Sequence, residues 1–146
     1  MSAAAAFLVF LLYPALSESQ SLSGWLGTWH LDVPRSEWRA GPSPYARGTW
    51  KIERAADAVK MTYDLVGTRG GVTHMEWTGK FDGADYRLQG ADAVVTYAYT
   101  QVDERTLDLM VKADGRPATR GRVTLSTDGR SLIAETPTTK TLYVKR

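Results

Sequence analysis

Two arginines in the second half of this sequence are spaced so that they could bind an anion. Arg120 and Arg122 alternate with Gly121 and Val123, so both guanidinium groups lie on one face of an extended strand. If that face points inward, the pair forms a site for a carboxylate or phosphate, which guanidinium groups bind through paired hydrogen bonds. In the alternative, the arginines face solvent while Val123 and Leu125 pack inside. The rarity of buried unpaired arginine favours this second arrangement.

The two histidines, His30 and His74, bear on metal and acid–base chemistry. Neither has a second ligand at a spacing typical of structural zinc sites, so we predict no metal. His74 and Glu76 share one polar face and could form a general-base pair within reach of a substrate, although ordinary surface alternation explains them equally well. The sequence contains no nucleophile elbow, phosphate loop or dinucleotide fingerprint. We therefore predict no cofactor and favour a non-catalytic protein, with a small barrel enzyme such as an isomerase or cyclase as an alternative.

A third set of candidates consists of large apolar and aromatic side chains that recur at alternate positions. Such a set lines the inside of a barrel whose lumen is wide enough to hold a small ligand. The predicted ligand-binding residues of this kind are Met61, Tyr63, Met75, Trp77, Tyr97, Tyr99, Tyr143 and Trp38, with Leu65, Leu107 and Leu109 as further wall residues. The alternative is that these side chains fill the interior completely, which predicts a structural barrel acting through protein–protein contacts at the cell envelope.

These candidates lie on short segments with a two-residue hydrophobic period, which is typical of strands. The predicted strands are residues 24–33, 49–53, 59–65, 73–80, 85–88, 94–100, 107–112, 119–125, 131–135 and 141–145. Asp-Gly turns at 82–83, 114–115 and 128–129 join neighbouring segments. The pattern predicts an all-β fold, an up-and-down antiparallel barrel of about ten strands, because closure removes exposed strand edges.

Two stretches near the start of the barrel have special compositions. Residues 24–29 contain two tryptophans and two glycines, and we predict that Gly27 begins the first strand with Trp29 buried inside the closed end. Trp25 is expected outside this motif. Residues 34–44 contain three prolines and one glycine, which predicts an irregular loop without a helical lid. The loop with Trp38 and Tyr45 would act as a flap over the barrel mouth.

The N-terminal residues have the anatomy of a secretory signal. The apolar run 6–13 is too short to span a bilayer, and small residues at Ala15 and Ser17 occupy the positions that a signal peptidase recognises. We predict a signal peptide over 1–17 and a single barrel domain over 18–146. An interfacial anchor and an N-terminal helix packed on the domain are the alternatives. The absence of cysteine excludes a disulfide scaffold and suits a secreted or periplasmic bacterial protein.

The charge of the chain is nearly balanced. Eighteen basic and sixteen acidic residues give a net charge of +2, and both signs are scattered along the sequence. Nucleic-acid binding requires a concentrated basic face, so we predict no nucleic-acid partner. We also expect a monomer with no stable membrane span after signal removal.

The two ends of the barrel domain resemble those of a known superfamily. Gly27-Thr28-Trp29 is similar to the G-x-W signature of the calycins, which include lipocalins and fatty-acid-binding proteins. The ending from Thr141 to Arg146 resembles their last strand. The resemblance extends to bacterial secreted lipocalin-like proteins of unassigned function. It implies a small hydrophobic or amphipathic ligand in the lumen, and a basic side chain, Lys145 or Arg146, packed over Trp29.

The sequence departs from the fatty-acid-binding proteins at the residues that hold their ligand. Those proteins use an Arg-x-Tyr pair on the last strand to bind a carboxylate. The matching positions here are Thr141 and Tyr143, so the resemblance carries over the tyrosine alone. Fatty-acid specificity therefore does not transfer with the fold.

Overall fold

Ten antiparallel strands follow one another in the computed structural model, which describes residues 22–146. Their bounds are Gly27–Trp38 (β1), Tyr45–Ala55 (β2), Ala58–Gly67 (β3), Val72–Gly79 (β4), Tyr86–Gln89 (β5), Val95–Asp103 (β6), Thr106–Ala113 (β7), Arg116–Leu125 (β8), Ser131–Glu135 (β9) and Thr139–Lys145 (β10). Each strand pairs with its neighbours in sequence, and β1 pairs with β10 to close the barrel. The predicted ten-strand up-and-down barrel is confirmed.

The sequence also predicts a signal peptide at the N-terminus and no stable membrane span after it. The predicted signal peptide, residues 1–17, lies outside the described residues and stays a prediction. Within residues 22–146, no helix combines the length and the apolar character needed to cross a membrane.

The strand register places one alternating set of side chains inside the barrel. Trp50 lies opposite Tyr63, and Tyr63 lies opposite Met75 on the next strand. The same alternation continues to Tyr143, which lies opposite Leu132. The inward positions of each strand therefore match the apolar set that the two-residue period predicts.

The closed end is built around Trp29, as predicted from the opening motif. Its side chain is 0% exposed, and Lys145 Nζ lies 5.2 Å from the ring centroid. Gly27 begins β1 with φ of 140°, and a Cβ there would lie 2.7 Å from the Lys145 side chain. Trp25 precedes the strand but is also 0% exposed, and its carbonyl accepts the Trp29 indole N–H at 3.0 Å. Both tryptophans therefore plug this end.

The predicted irregular loop over residues 34–44 is wrong in its first half, because β1 continues to Trp38. Pro34 is tolerated because it lies at an irregularity where the register with β10 shifts between Asp32 and Glu37. Ser36 stabilises this bulge, since its hydroxyl donates to the Asp32 carbonyl at 2.7 Å and accepts the Leu142 N–H at 2.9 Å. Only residues 39–44 form the connection to β2.

The bulge also turns β1 away from β2. The two strands pair only where Gly27–His30 meets Thr49–Ile52, and β1 then follows β10. A cleft of about 530 Å³ opens on the side of the barrel where they separate, with Asp32 and Arg47 among its lining residues. The connection 39–44 then joins the end of β1 to the start of β2.

Candidate ligand-binding site

The barrel interior is filled at the closed end and open at the mouth. The largest fully buried side chains are Trp25, Trp29, Trp77, Tyr99, Ile52, Met61, Leu107 and Leu132. Trp77 packs edge-on against Tyr99 at 5.0 Å and stacks with Phe81 at 6.4 Å, which seals the lower half. These aromatic contacts form the floor on which any ligand would rest.

A cavity of about 560 Å³ occupies the mouth above this floor. It is lined by Trp38, Ala40, Gly41, Pro42, Pro44, Tyr45, Tyr63, Leu65, Met75, Tyr97, Thr138, Thr139, Thr141 and Tyr143. The walls come from β1, β2, β3, β4, β6 and β10 and from two turns. The filled-barrel alternative predicted no cavity larger than a few waters, and this volume contradicts it. The interior is therefore part core and part cavity.

Tyrosine rings form the boundary between floor and cavity. Tyr63 stacks on Trp50 with ring centroids 5.3 Å apart, and Tyr143 packs edge-on against the same indole at 5.4 Å. The hydroxyls of Tyr63 and Tyr99 hydrogen-bond to each other at 2.8 Å. Burial raises the pKa of both hydroxyls well above the ordinary tyrosine value, so each remains protonated near neutral pH. The floor is consequently aromatic and uncharged.

The rim of the cavity carries a second aromatic pair. Trp38 at the end of β1 packs edge-on against Tyr45 at the start of β2, with ring centroids 5.9 Å apart. The Trp38 indole N–H is buried and has no hydrogen-bond partner among the described residues. This pair flanks the connection 39–44, which we call the flap. Residues of the flap line the cavity together with Trp38 and Tyr45.

The flap is attached at both ends to other turns of the mouth. The Arg39 N–H donates to the Thr138 carbonyl at 2.9 Å, and its guanidinium reaches Glu135 Oε1 at 3.2 Å. At the other end, the Thr68 N–H donates to the Pro44 carbonyl at 3.0 Å. The flap thus runs from the β9–β10 turn to the β3–β4 turn.

The predicted ligand-binding residues divide into three groups. Trp38, Tyr63, Met75, Tyr97 and Tyr143 line the cavity, Met61, Trp77 and Tyr99 lie deeper in the filled core, and Arg120 and Arg122 lie on the outer surface. The first group brings five side chains from distant parts of the sequence to one site. The second group supports the floor without lining the cavity.

Of the two arrangements considered for Arg120 and Arg122, the anion site in the lumen is wrong, and the solvent-facing arrangement that the sequence favoured is the one observed. Gly121 and Val123 occupy the inward positions of β8, so the arginines point outward. The Arg122 side chain is 59% exposed, and its Nε donates to Asp108 Oδ1 at 2.8 Å. Exposure lets the guanidinium keep its hydration and gain a carboxylate partner, which burial in the lumen would not provide.

Sequence reasoning missed the threonines that line one side of the mouth. Thr138, Thr139 and Thr141 come from the β9–β10 turn and the start of β10. The signal that could have found Thr141 is its position two residues before Tyr143, on the same inward face. Thr141 is 9% exposed, and its hydroxyl donates to the Ala134 carbonyl at 3.1 Å.

His74 and Glu76 lie on the outer face of β4, away from the cavity. His74 Nδ1 lies 2.5 Å from Asp64 Oδ1, and Nε2 lies 3.1 Å from Glu76 Oε1. Hydrogen bonds to these two carboxylates raise the pKa of His74, because the protonated ring donates both N–H groups. Within the described part of the chain, no group of three or more acidic, histidine or cysteine side chains could hold a metal ion.

Comparison with solved structures identifies the architecture. The sequence matches no protein-family model and no curated protein. The crystal structure of a mutant of the fluorescent protein UnaG matches with a TM-score of 0.63, over 86% of this chain and 98% of that chain, at 14% sequence identity. The two proteins share the fold of a closed antiparallel barrel. At this level of identity the likeness concerns the barrel alone, and the mouth cavity described above is a feature of this chain.

Proposed function

We propose that this calycin-fold protein is an exported, non-catalytic carrier that holds a small hydrophobic or amphipathic ligand in its mouth cavity. The cavity carries the proposal: about 560 Å³ of space walled by aromatic and aliphatic side chains. This volume falls within the range of roughly 300–1,000 Å³ that is typical of small-molecule sites. Burial of the ligand's apolar surface against these walls would supply most of the binding free energy.

A carrier role is favoured by the chemistry of the groups that converge on the floor. The tyrosine hydroxyls at the floor are those of Tyr63 and Tyr99, which hydrogen-bond to each other, and that of Tyr143, which hydrogen-bonds to Thr141. Burial raises the pKa of all three, whereas a general base must be deprotonated near neutral pH. The arrangement supports binding and release of an unchanged ligand.

Binding can be tested on the protein as it is made by its own source. Native mass spectrometry of the purified protein is expected to show a bound small molecule, and titration with apolar and amphipathic compounds is expected to change tryptophan fluorescence through Trp38. A protein that carries no ligand and responds to none of the compounds would contradict the proposal.

A pair of variants on one strand tests whether the cavity is the binding site. Met75→Trp places a large ring into the cavity, while Thr78→Trp adds the same ring to the outer face of β4. We expect Met75→Trp to weaken binding by about tenfold or more, equivalent to about 1.4 kcal/mol, and Thr78→Trp to leave it unchanged. Melting curves would establish that both variants fold. Unaltered affinity in a folded Met75→Trp protein would exclude the mouth cavity.

Export is a separate part of the proposal and rests on the N-terminal sequence. The apolar run 6–13 followed by small residues at Ala15 and Ser17 has the features of a cleaved signal. We expect the intact mass of the protein recovered from the periplasm or the medium to correspond to a chain beginning near Glu18. Recovery of a chain that still begins at Met1 in the cytosol would contradict export.

A further inference from the structure

The cavity wall carries no charged side chain among the described residues. Besides the Trp38 indole N–H, its polar side-chain groups are the hydroxyls of four tyrosines and three threonines, namely Tyr45, Tyr63, Tyr97, Tyr143, Thr138, Thr139 and Thr141. Building on the proposed function, we infer that the ligand is an uncharged aromatic compound with hydrogen-bonding groups, and that the cavity rejects carboxylates of the same size.

The arginine side chains discussed above are not placed where they could neutralise an anionic ligand inside the cavity. Arg39 is directed at Glu135 and at the carbonyls of residues 136–138, outside the cavity wall. Arg120 and Arg122 lie on the outer surface. A carboxylate that enters the cavity therefore loses water without gaining a cation, which is unfavourable, whereas an uncharged ligand has no such penalty. The hydroxyl-rich wall selects against charge of either sign.

The shape of the wall favours a flat, aromatic ligand. The Tyr63 and Tyr97 rings meet at 78° with centroids 6.4 Å apart, and Trp38 and Tyr45 meet at 63° across the rim. Perpendicular ring pairs expose both a ring face and a ring edge to the space between them. An aromatic ligand can stack on the first and pack edge-on against the second, which are the two arrangements that aromatic rings prefer.

Two tyrosine hydroxyls on the wall are available to the ligand. Tyr63 is hydrogen-bonded to Tyr99, and Tyr143 to Thr141, but no hydrogen bond is present from the hydroxyls of Tyr45 and Tyr97 within residues 22–146. Among the threonines of the wall, Thr139 is paired with Thr136 and Thr141 donates to a backbone carbonyl. Burial raises the pKa of Tyr97, so its hydroxyl stays a donor near neutral pH. A hydroxyl or carbonyl on the ligand would satisfy these groups, which gives the site a polar preference without a charge.

Three probes of similar size separate the inference from the proposed function. We expect 2-naphthol to bind at least about tenfold more tightly than 2-naphthoate in isothermal titration at pH 7. The alcohol 1-decanol tests for an uncharged ligand that is not aromatic. Equal or tighter binding of 2-naphthoate, or binding of 1-decanol in preference to 2-naphthol, would overturn the inference and leave the carrier function standing. Failure of all three to bind would count against the carrier function itself.

Two variants locate the selectivity on the wall. Thr141→Arg puts a cation beside Tyr143, and Thr141→Met adds comparable length without charge. We expect only Thr141→Arg to bind 2-naphthoate more tightly than 2-naphthol, and no gain over Thr141→Met would overturn the inference. Tyr97→Phe keeps the ring and removes a free hydroxyl, so 2-naphthol affinity should fall several-fold while naphthalene affinity is unchanged. Equal affinity of Tyr97→Phe and the original protein for 2-naphthol would contradict the assigned polar contact.

Discussion

Trp29 connects the first strand, the N-terminal turn and the last strand at the closed end. Its indole is 0% exposed, donates to the Trp25 carbonyl at 3.0 Å and lies under Lys145. Trp29→Ala removes this buried surface and leaves a cavity, so we expect the free energy of unfolding to fall by about 3–5 kcal/mol. Urea unfolding followed by circular dichroism measures the change. A loss well below about 1 kcal/mol would contradict the assignment of Trp29 as the plug.

The contribution of the ammonium group can be separated from that of the indole. Lys145→Met keeps an aliphatic side chain over Trp29 and removes the charge. Lys145 is exposed, and a cation–π contact at an exposed site contributes about 0.5–1 kcal/mol, so this variant should lose far less stability than Trp29→Ala. Equal losses in the two variants would show that the lysine, and not the buried indole, holds this end together.

His74 gives the outer surface a pH-dependent contribution to stability. Hydrogen bonds to Asp64 and Glu76 raise its pKa above the ordinary value of 6.5, so the folded protein holds the proton more tightly than the unfolded chain. The stabilisation is complete below pH 6.5 and is lost as the pH rises through the folded-state pKa. NMR titration of the ring protons is expected to show a midpoint above 6.5.

Substitution of the first carboxylate provides the control for His74. Asp64→Asn removes the largest cause of the shift and keeps a side chain of the same size. We expect the His74 midpoint to move down towards the ordinary value, and the decline in unfolding free energy above pH 6.5 to become smaller. An unchanged midpoint in Asp64→Asn would refute the role of this hydrogen bond.

At the scale of the element, side-chain hydrogen bonds attach the start of the flap to the β9–β10 turn, although the prolines and the glycine of the flap predict an irregular loop. The Arg39 guanidinium contacts Glu135 and two carbonyls of the β9–β10 turn. Arg39→Ala keeps the backbone hydrogen bond to Thr138 but removes the side-chain contacts, so it should loosen this end of the flap and increase both the association and the dissociation rate of a bound ligand several-fold. Because Arg39 is 46% exposed, the global stability should change by no more than about 1 kcal/mol.

Stopped-flow fluorescence of Arg39→Ala measures those rates, and Glu135→Gln serves as the matched control. Glu135→Gln removes the ion pair but leaves the guanidinium contacts with Thr136 and Pro137. It should therefore have an intermediate effect. Rates in Arg39→Ala that equal those of the original protein would show that the flap does not control access.

The strands were predictable because each one alternates between core and solvent, and this period is visible in the sequence. The continuation of β1 through Pro34 to Trp38 was not, since proline normally ends a strand. The structure tolerates Pro34 because Ser36 bridges Asp32 and the distant Leu142. A contact between positions so far apart in sequence leaves no local signal.

At the scale of the whole molecule, the sequence predicted which side chains point into the barrel. It did not predict which part of the interior those side chains fill and which part stays open as a cavity. Tyr63, Tyr97 and Tyr143 were predicted as wall residues and do line the cavity. The outward direction of Arg120 and Arg122 agrees with the rarity of buried unpaired arginine, although both had also been candidates for an anion site in the lumen. The division into a filled end and an open mouth depends on where large rings from different strands meet. A single strand's pattern does not contain that information.

This division predicts a gradient of local stability along the barrel axis. The closed half contains fully buried residues such as Trp29, Leu107 and Leu132, whereas the mouth half surrounds a cavity and ends in loops. Local opening requires less free energy where fewer apolar contacts are broken. We expect amide hydrogen exchange to be slowest around these three residues and fastest in residues 39–44 and 136–138.

A bound ligand and the Trp29→Ala substitution should change amide hydrogen exchange at opposite ends of the barrel. A bound ligand adds contacts only at the mouth, so it should slow exchange in the flap and the β9–β10 turn and leave the closed end unchanged. Trp29→Ala should accelerate exchange first at the closed end, because the cavity it creates lies there. Uniform exchange along the barrel, or protection by ligand at the closed end, would show that the filled half and the mouth unfold as one unit. The mouth could not then admit a ligand by local opening while the tryptophan core stays folded.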